Sequence, residues 1–250
     1  MLSHGSYLTL QLILLTISTY CNALAMISKI PNKLQHINSL QNKFFALRHG
    51  QSLANIAKII SSDPSISTVE HGLSDVGKEQ VSISAKAFAQ NYLEKQCHDK
   101  YSGVAIFSSD FTRARETAGI FAKTVMDANI PLYQGTVNNE VRLRERFFGD
   151  FNGGSDEHYQ DVWDVDCNDP NHTDFNVESV NSVVGRTSGL ILDLEEELKA
   201  TGGDPYKVIL VAHGDVLQIL QTAFLKRPGS EHRSLEHLET ASVREIHLAN

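Results

Sequence analysis

The chain is short of several things, and each shortage narrows what it can be. No aspartate or glutamate precedes Asp63, so the first quarter carries only Lys and Arg as charged side chains. Over the whole chain, 22 Lys and Arg stand against 30 Asp and Glu. The net charge of −8 argues against nucleic acid as a partner, because a phosphate backbone calls for a basic face. There is no internal repeat and no low-complexity tract, and 41% hydrophobic with 21% charged residues is an ordinary globular composition. At 250 residues the chain can bury the core of one domain. Cysteines number only three. Cys97 and Cys167 could pair in an oxidising compartment or remain separate thiols, and the sequence leaves both open.

The apolar run Leu8 to Ile17 is too short to span a bilayer comfortably but has the length of a signal-peptide core. "NALA", Asn22 to Ala25, supplies small residues at a cleavage site, which predicts a signal peptide over residues 1–25 that carries Cys21 away. A basic start is missing, since Met1 to Tyr7 contains neither Lys nor Arg; a buried amphipathic helix or membrane anchor is the alternative. Residues 26–43, with Lys29, Lys33 and Lys43, read as a linker or transit segment. Entry into the secretory route, to the outside or to endomembranes, is expected. A plastid reached through a two-part address is the alternative. No stable membrane span is expected once the signal is removed.

From Phe44 onward, strand and helix signals alternate, which predicts a three-layer α/β/α sandwich around a mostly parallel sheet. Strands are expected at Phe44–Leu47, at "GVAIF" from Gly103, at "YKVILVA" from Tyr206, and in "ASVREIHL" near the end. Helices are expected from near Asp75, capped by Ser74 or Asp75, and after "SSDF", capped by Ser109 or Asp110. Val81, Ala85, Phe88 and Leu93 supply the apolar stripe of the first of these. A further helix is expected over Val180 to Leu198. The polar stretch from Gly153 to Val177 reads as a partly helical flap inserted over a site.

Two of the strands end alike, in Arg48-His49-Gly50 and in His213-Gly214. Parallel sheets of this kind place such tips on one rim, where ligands bind. Arg113, near the start of the helix after the second strand, can reach the same rim. Each residue alone has an ordinary structural use. Together, two arginines and two histidines make a cationic hole that is costly unless an anion fills it. A tetrahedral dianion fits best, since each guanidinium grips oxygens through its planar fork. Asn55 could add a neutral amide, and Gly50 is expected to leave room for the phosphate. Asp215 is expected to cap the following helix.

"LRHGQSLAN", "SSDFTRARETA", "RLRERFFGDFNG" and "LVAHGDVLQIL" occur in the order that resembles the histidine phosphatase superfamily, in its phosphoglycerate-mutase-like branch (branch 1). The resemblance covers residues 44–250. It implies that His49 is a nucleophile carrying the phosphoryl group as phosphohistidine. It also implies that Arg48, Arg113, His213 and Asn55 hold the phosphate, and that Glu145 protonates the leaving oxygen. Without the resemblance, Glu145 would read as the salt-bridge partner of Arg144 or Arg146. No metal and no cofactor is expected, because the cations are supplied by the protein. Gln51-Ser52-Leu53 and His213-Gly214-Asp215 depart from the acid phosphatase and phytase branch. Only 37 residues follow His213, leaving no spare tail of the kind mutases of the family use to exclude water. The expected activity is a phosphomonoesterase acting on a small phosphorylated metabolite. Phosphoglycerate mutase-type transfer is the alternative, and a non-catalytic phospho-ligand binding module is a third.

Overall fold

The central strands of this chain are buried on both faces, and side chains that alternate between those faces build its layers. A computed structural model describes residues 31–95 and 100–250. Strand β1 spans Lys43–Arg48 and is followed by two short helices, α1 (Leu53–Ala57) and α2 (Pro64–Ser67), then by the long helix α3 (Asp75–Lys95). Next come β2 (Gly103–Ser108), α4 (Thr112–Asp127) and β3 (Leu132–Asn139). Several 3-10 turns and the short helix α5 (Tyr159–Asp166) lead to α6 (Val180–Lys199), β4 (Tyr206–Ala212), α7 (Gly214–Phe224) and β5 (Val243–Ile246). The strands form one sheet in the order β3-β2-β4-β1-β5, parallel throughout except for β5, which runs antiparallel to β1.

Because side chains point to opposite faces every second residue, each strand feeds two cores. Phe44, Ala46, Phe107, Val208 and Leu210 pack with α6 and α7. Leu47, Val104, Ile106, Ile209 and Val211 pack with α3 and α4 on the other side. This is the expected three-layer sandwich, and each large apolar side chain buried in it contributes about 1.5–3 kcal/mol.

Several local expectations are corrected. Strand β3 was not legible, because "LYQGTVNN" is a polar, half-exposed edge strand whose Gln134 and Gly135 both take positive φ. In α3, Ser74 accepts from the Gly77 amide at 3.0 Å and serves as the cap. Tyr92 is buried there where Leu93 was expected, and Leu93 is exposed. Neither Ser109 nor Asp110 caps α4. Its N-cap is Phe111, Ser109 turns to His213, and Asp110 pairs with Arg144 at 2.6 Å. The fold also begins before Phe44. Leu34 is fully buried against the α6–α7 core, and Asn42 bonds Glu195 and the Tyr206 amide. Residues 32–42 of the expected linker therefore belong to the folded unit.

The apolar run Leu8–Ile17, the cleavage site after Ala25 and Cys97 lie outside the described residues. Cys167 is exposed. Among the described residues no helix is long and apolar enough to cross a membrane.

Candidate active site

Three adjacent parallel strands, β2, β4 and β1, end on the same rim, and the residues just past their ends meet there. A parallel strand buried on both faces must stop in a turn, and its last side chains then look out over the sheet edge rather than into a core. Arg48 closes β1, His49 follows it, His213 follows β4, and Ser109 follows β2. The His49 amide donates to Ala212 O at 3.0 Å, and the two imidazole rings lie 5.1 Å apart in edge contact. A cavity of about 240 Å³ opens at this rim. Arg48, His49, Asn55, Arg113 and Glu145 line it, and Tyr159 and Trp163 of α5 form one wall.

His49 is buried and fixed by both ring nitrogens. Nδ1 lies 2.8 Å from Gly50 O, so it carries the proton and donates, and Nε2 is left to accept from Arg113 Nε at 3.2 Å. Burial, followed by the Arg113 and Arg48 charges, holds this imidazole well below its ordinary range and therefore neutral. A neutral ring with a defined tautomer and a lone pair at the cavity is what nucleophilic attack on phosphorus requires.

Arg113 sits in the first turn of α4 and is buried. Its Nη2 donates to Ser61 O at 2.9 Å. Arg48 donates from Nη1 to His237 Nε2 and to Leu238 O, each at 2.7 Å. Arg48 Nε and His213 Nδ1 are buried with no hydrogen-bond partner among the described residues, so both are available to an anion. His213 Nε2 lies 2.9 Å from the Ser109 hydroxyl. Burial, with Arg113 next, keeps His213 neutral as well. The capping box of α1 orients Asn55: Oδ1 accepts from the Ser52 amide and hydroxyl, each at 3.0 Å, which leaves the amide NH₂ as a donor on the cavity wall.

Glu145 is buried and lines the same cavity. Neither flanking arginine neutralises it. Arg144 pairs with Asp110 and Arg146 with Asp166, while Glu145 Oε1 accepts only the Arg146 amide at 3.0 Å. Burial and then the nearby Asp215 charge push its carboxyl up to about 7, against the opposing pull of Arg113 and Arg48. It can therefore hold a proton near neutral pH.

Gly50 has a reason the sequence did not show. A Cβ there would meet the Gly77 carbonyl oxygen at 2.5 Å, so the glycine admits the first turn of α3 against the His49 loop. Gly77 is bound in return, since its Cβ would lie 2.1 Å from Gln51 O. Asp215 is also corrected. It makes no cap; its carboxylate enters the cavity wall, where Trp163 Nε1 donates to it at 3.1 Å and Arg146 Nη1 approaches at 3.5 Å. Burial opposes its ionisation, yet His232, Arg146 and Arg233 hold it down at about 2. Two carboxyls on one wall are thus pushed apart, one toward the acid and one toward the anion.

Tyr159, Trp163, Asp215, Arg233 and His237 line the cavity without having been foreseen as site residues. Asp215 adjoins His213-Gly214 and could have been weighed for that alone; Arg233 and His237 lie in a turn with no motif. Among the described residues no three His, Cys, Asp or Glu side chains are placed to hold a metal ion.

Known proteins resemble this chain in sequence and in fold. The family model described as histidine phosphatase superfamily (branch 1) matches residues 44–250. A protein of Schizosaccharomyces pombe named a probable phosphatase is 26% identical over 187 residues, which cover 75% of each chain. The solved structure of a mycobacterial glucosyl-3-phosphoglycerate phosphatase with VO3 superimposes with a TM-score of 0.62 at 24% identity. The match covers 81% of this chain and 89% of that one. A putative alpha-ribazole-5'-P phosphatase from Escherichia coli gives a TM-score of 0.56 at 20% identity, over 81% of this chain and 88% of that one. At these identities the two structures share the fold.

Proposed function

The chain belongs to branch 1 of the histidine phosphatase superfamily and is a phosphatase; from that premise we propose that it hydrolyses a small phosphomonoester through a phosphohistidine formed on His49. The observation that carries this reading is the His49 ring, held neutral with its Nε2 lone pair turned to Arg113 and the cavity. In the first step Nε2 attacks phosphorus, the bond from phosphorus to the leaving oxygen breaks, and Glu145 delivers its proton to that oxygen. In the second step the Glu145 carboxylate takes a proton from water, whose oxygen attacks phosphorus and breaks the P–N bond, releasing phosphate and regenerating both groups. Arg48, Arg113, His213 and the Asn55 amide grip the equatorial oxygens. Since a loose phosphoryl-transfer transition state is stabilised mainly by position and charge, they supply most of the acceleration. The cavity of about 240 Å³ suits a phosphate joined to a small organic group rather than a macromolecular surface.

The test is phosphate release from a panel of sugar phosphates, phosphoglycerates, phosphoserine peptides and an aryl phosphate, with a chelator present and His49→Ala alongside. Chelator-resistant turnover that disappears in the variant supports the reading. Interconversion of phosphoglycerates without release would make the chain a mutase, and folded protein that binds phosphate without turnover would make it a binding module.

A further inference from the structure

Of the arginines outside the cavity, Arg142 pairs with Glu140, Arg144 with Asp110, Arg146 with Asp166, Arg186 with Glu178, Arg227 with Glu231 and Arg244 with Glu236, while the exposed Arg115 donates to Thr68 O at 3.0 Å. The three that line the cavity, Arg48, Arg113 and Arg233, form no salt bridge with a carboxylate of the described residues. Two of them accompany His49 and serve the phosphate. The third stands apart, on the rim, in the turn that follows α7.

Arg233 is held there by neutral groups. Its guanidinium carbon lies 3.6 Å from the centre of the Trp163 ring, and Nη1 donates to Gln218 Oε1. Gln218 is buried and oriented by its own Nε2, which donates to Leu235 O at 3.1 Å. Trp163 is fixed in turn by its bond to Asp215 and by stacking on Tyr159, with ring centres 5.4 Å apart and planes within 7°. A long cationic side chain has therefore lost most of its rotamer freedom without a direct ion pair; Asp215, whose own hydrogen bond goes to Trp163, is the nearby charge that favours it. The ordering cost is already met, and the charge is still available.

We propose that Arg233, seated on Trp163, is the subsite for a second anionic group on the leaving portion of the substrate, so that the preferred substrates are small phosphomonoesters that also carry a negative charge. This deepens the phosphatase reading and depends on it. The chemistry is shared by a carboxylate and a second phosphate. A carboxylate matches one planar fork better, and Asp156, a carboxylate on the same cavity wall, counts against a dianion there. A purely structural role, in which Arg233 only clamps α5 to the turn after α7, uses the same contacts but has no preference among substrates.

The test compares 3-phosphoglycerate with glycerol 3-phosphate, which differ only in a carboxylate against a hydroxymethyl group, in the full chain and in Arg233→Gln. A second pair, a sugar bisphosphate and its monophosphate, asks whether a second phosphate is taken instead. The expected result is a preference of about tenfold or more in kcat/KM for the doubly anionic member of at least one pair, expressed mainly in KM. Arg233→Gln should collapse that ratio toward unity, and Arg233→Lys should keep part of it. A wild-type enzyme that hydrolyses both members equally overturns the subsite while leaving the phosphatase reading intact, as does an Arg233→Gln enzyme that slows both in the same proportion. No turnover of any phosphomonoester, the aryl phosphate included, overturns the phosphatase reading and the subsite with it. Circular dichroism and melting temperature of both variants show whether the fold is kept.

Discussion

Arg113 donates its Nε–H to Nε2 of His49 across 3.2 Å, a cation aimed at the lone pair of a buried neutral imidazole. This contact holds the ring in place and lowers its affinity for protons. When a phosphoryl group arrives, the same guanidinium can move its donors to the phosphate oxygens and leave Nε2 to attack. Arg113→Ala should therefore lower kcat/KM about a thousandfold, within the range for arginines that stabilise phosphoryl transfer. Arg113→Lys should recover little, because a single ammonium cannot keep Ser61 O, the ring and the phosphate at once. Steady-state kinetics on an alkyl and an aryl phosphate would check both.

With Glu145 raised to about 7, the proton needed by the leaving oxygen is present below that pH and lost above it. Hydrolysis of an alkyl phosphate should fall on the basic side of about pH 7. Glu145→Gln should abolish that limb along with most of the activity. An aryl phosphate, whose leaving oxygen needs little protonation, should lose far less. A pH–rate profile measured on both substrates would check this.

The same shift bears on stability. Below its ordinary value of 4.5 the Glu145 carboxyl is protonated in folded and unfolded chains alike. As pH rises from there to about 7, the unfolded chain gives up a proton that the folded chain keeps, so folding is penalised progressively, up to about 3 kcal/mol at roughly 1.4 kcal/mol per unit. Glu145→Gln can still accept the Arg146 amide and carries no charge to bury. It should melt higher than wild type at pH 8, with the gain vanishing near pH 4. Thermal melts at the two pH values would check this.

Arg146 is fully buried, with Nη1 and Nη2 on Asp166 at 2.6 and 2.8 Å and Nε on Glu178 O at 2.6 Å. Removing it leaves Asp166 uncompensated, beside His172 Nε2 at 2.7 Å and His232 at 3.7 Å. Arg146→Ala should cost about 3–5 kcal/mol, as expected when one partner of a buried pair is deleted. Because the Arg146 guanidinium also approaches Asp215 of the cavity wall at 3.5 Å, activity should fall with stability. Chemical denaturation together with kinetics would check both.

What the sequence made legible follows from how local each signal is. Residues at the tips of buried strands declare themselves, because a run such as "FFAL" that ends in Arg-His has no apolar reason to do so; Arg48, His49, Arg113 and His213 lie where such reasoning put them, around one cavity or just behind it, whereas Glu145 was reached only through the family resemblance and read otherwise as a salt-bridge partner. The strands and helices with continuous apolar faces were legible for the same reason. β3 was not, since an edge strand buries little and its pattern is broken at Gln134 and Gly135. The Trp163, Asp215 and Arg233 wall was hidden because it is assembled from three segments, α5, the start of α7 and the turn beyond it. Each supplies one residue that looks ordinary in its own stretch. Gly50 has a reason the sequence did not show: the neighbour that needs the space is a helix backbone 27 residues away in sequence, at Gly77.

The most direct measurement is to quench the enzyme during turnover of an aryl phosphate and locate any covalently bound phosphoryl group by mass spectrometry under alkaline conditions, which preserve phosphohistidine. The expected result is a phosphorylated peptide containing His49, absent from His49→Ala and lost again when the substrate is exhausted. A phosphoryl group on another side chain, or turnover that survives in His49→Ala, would contradict the account.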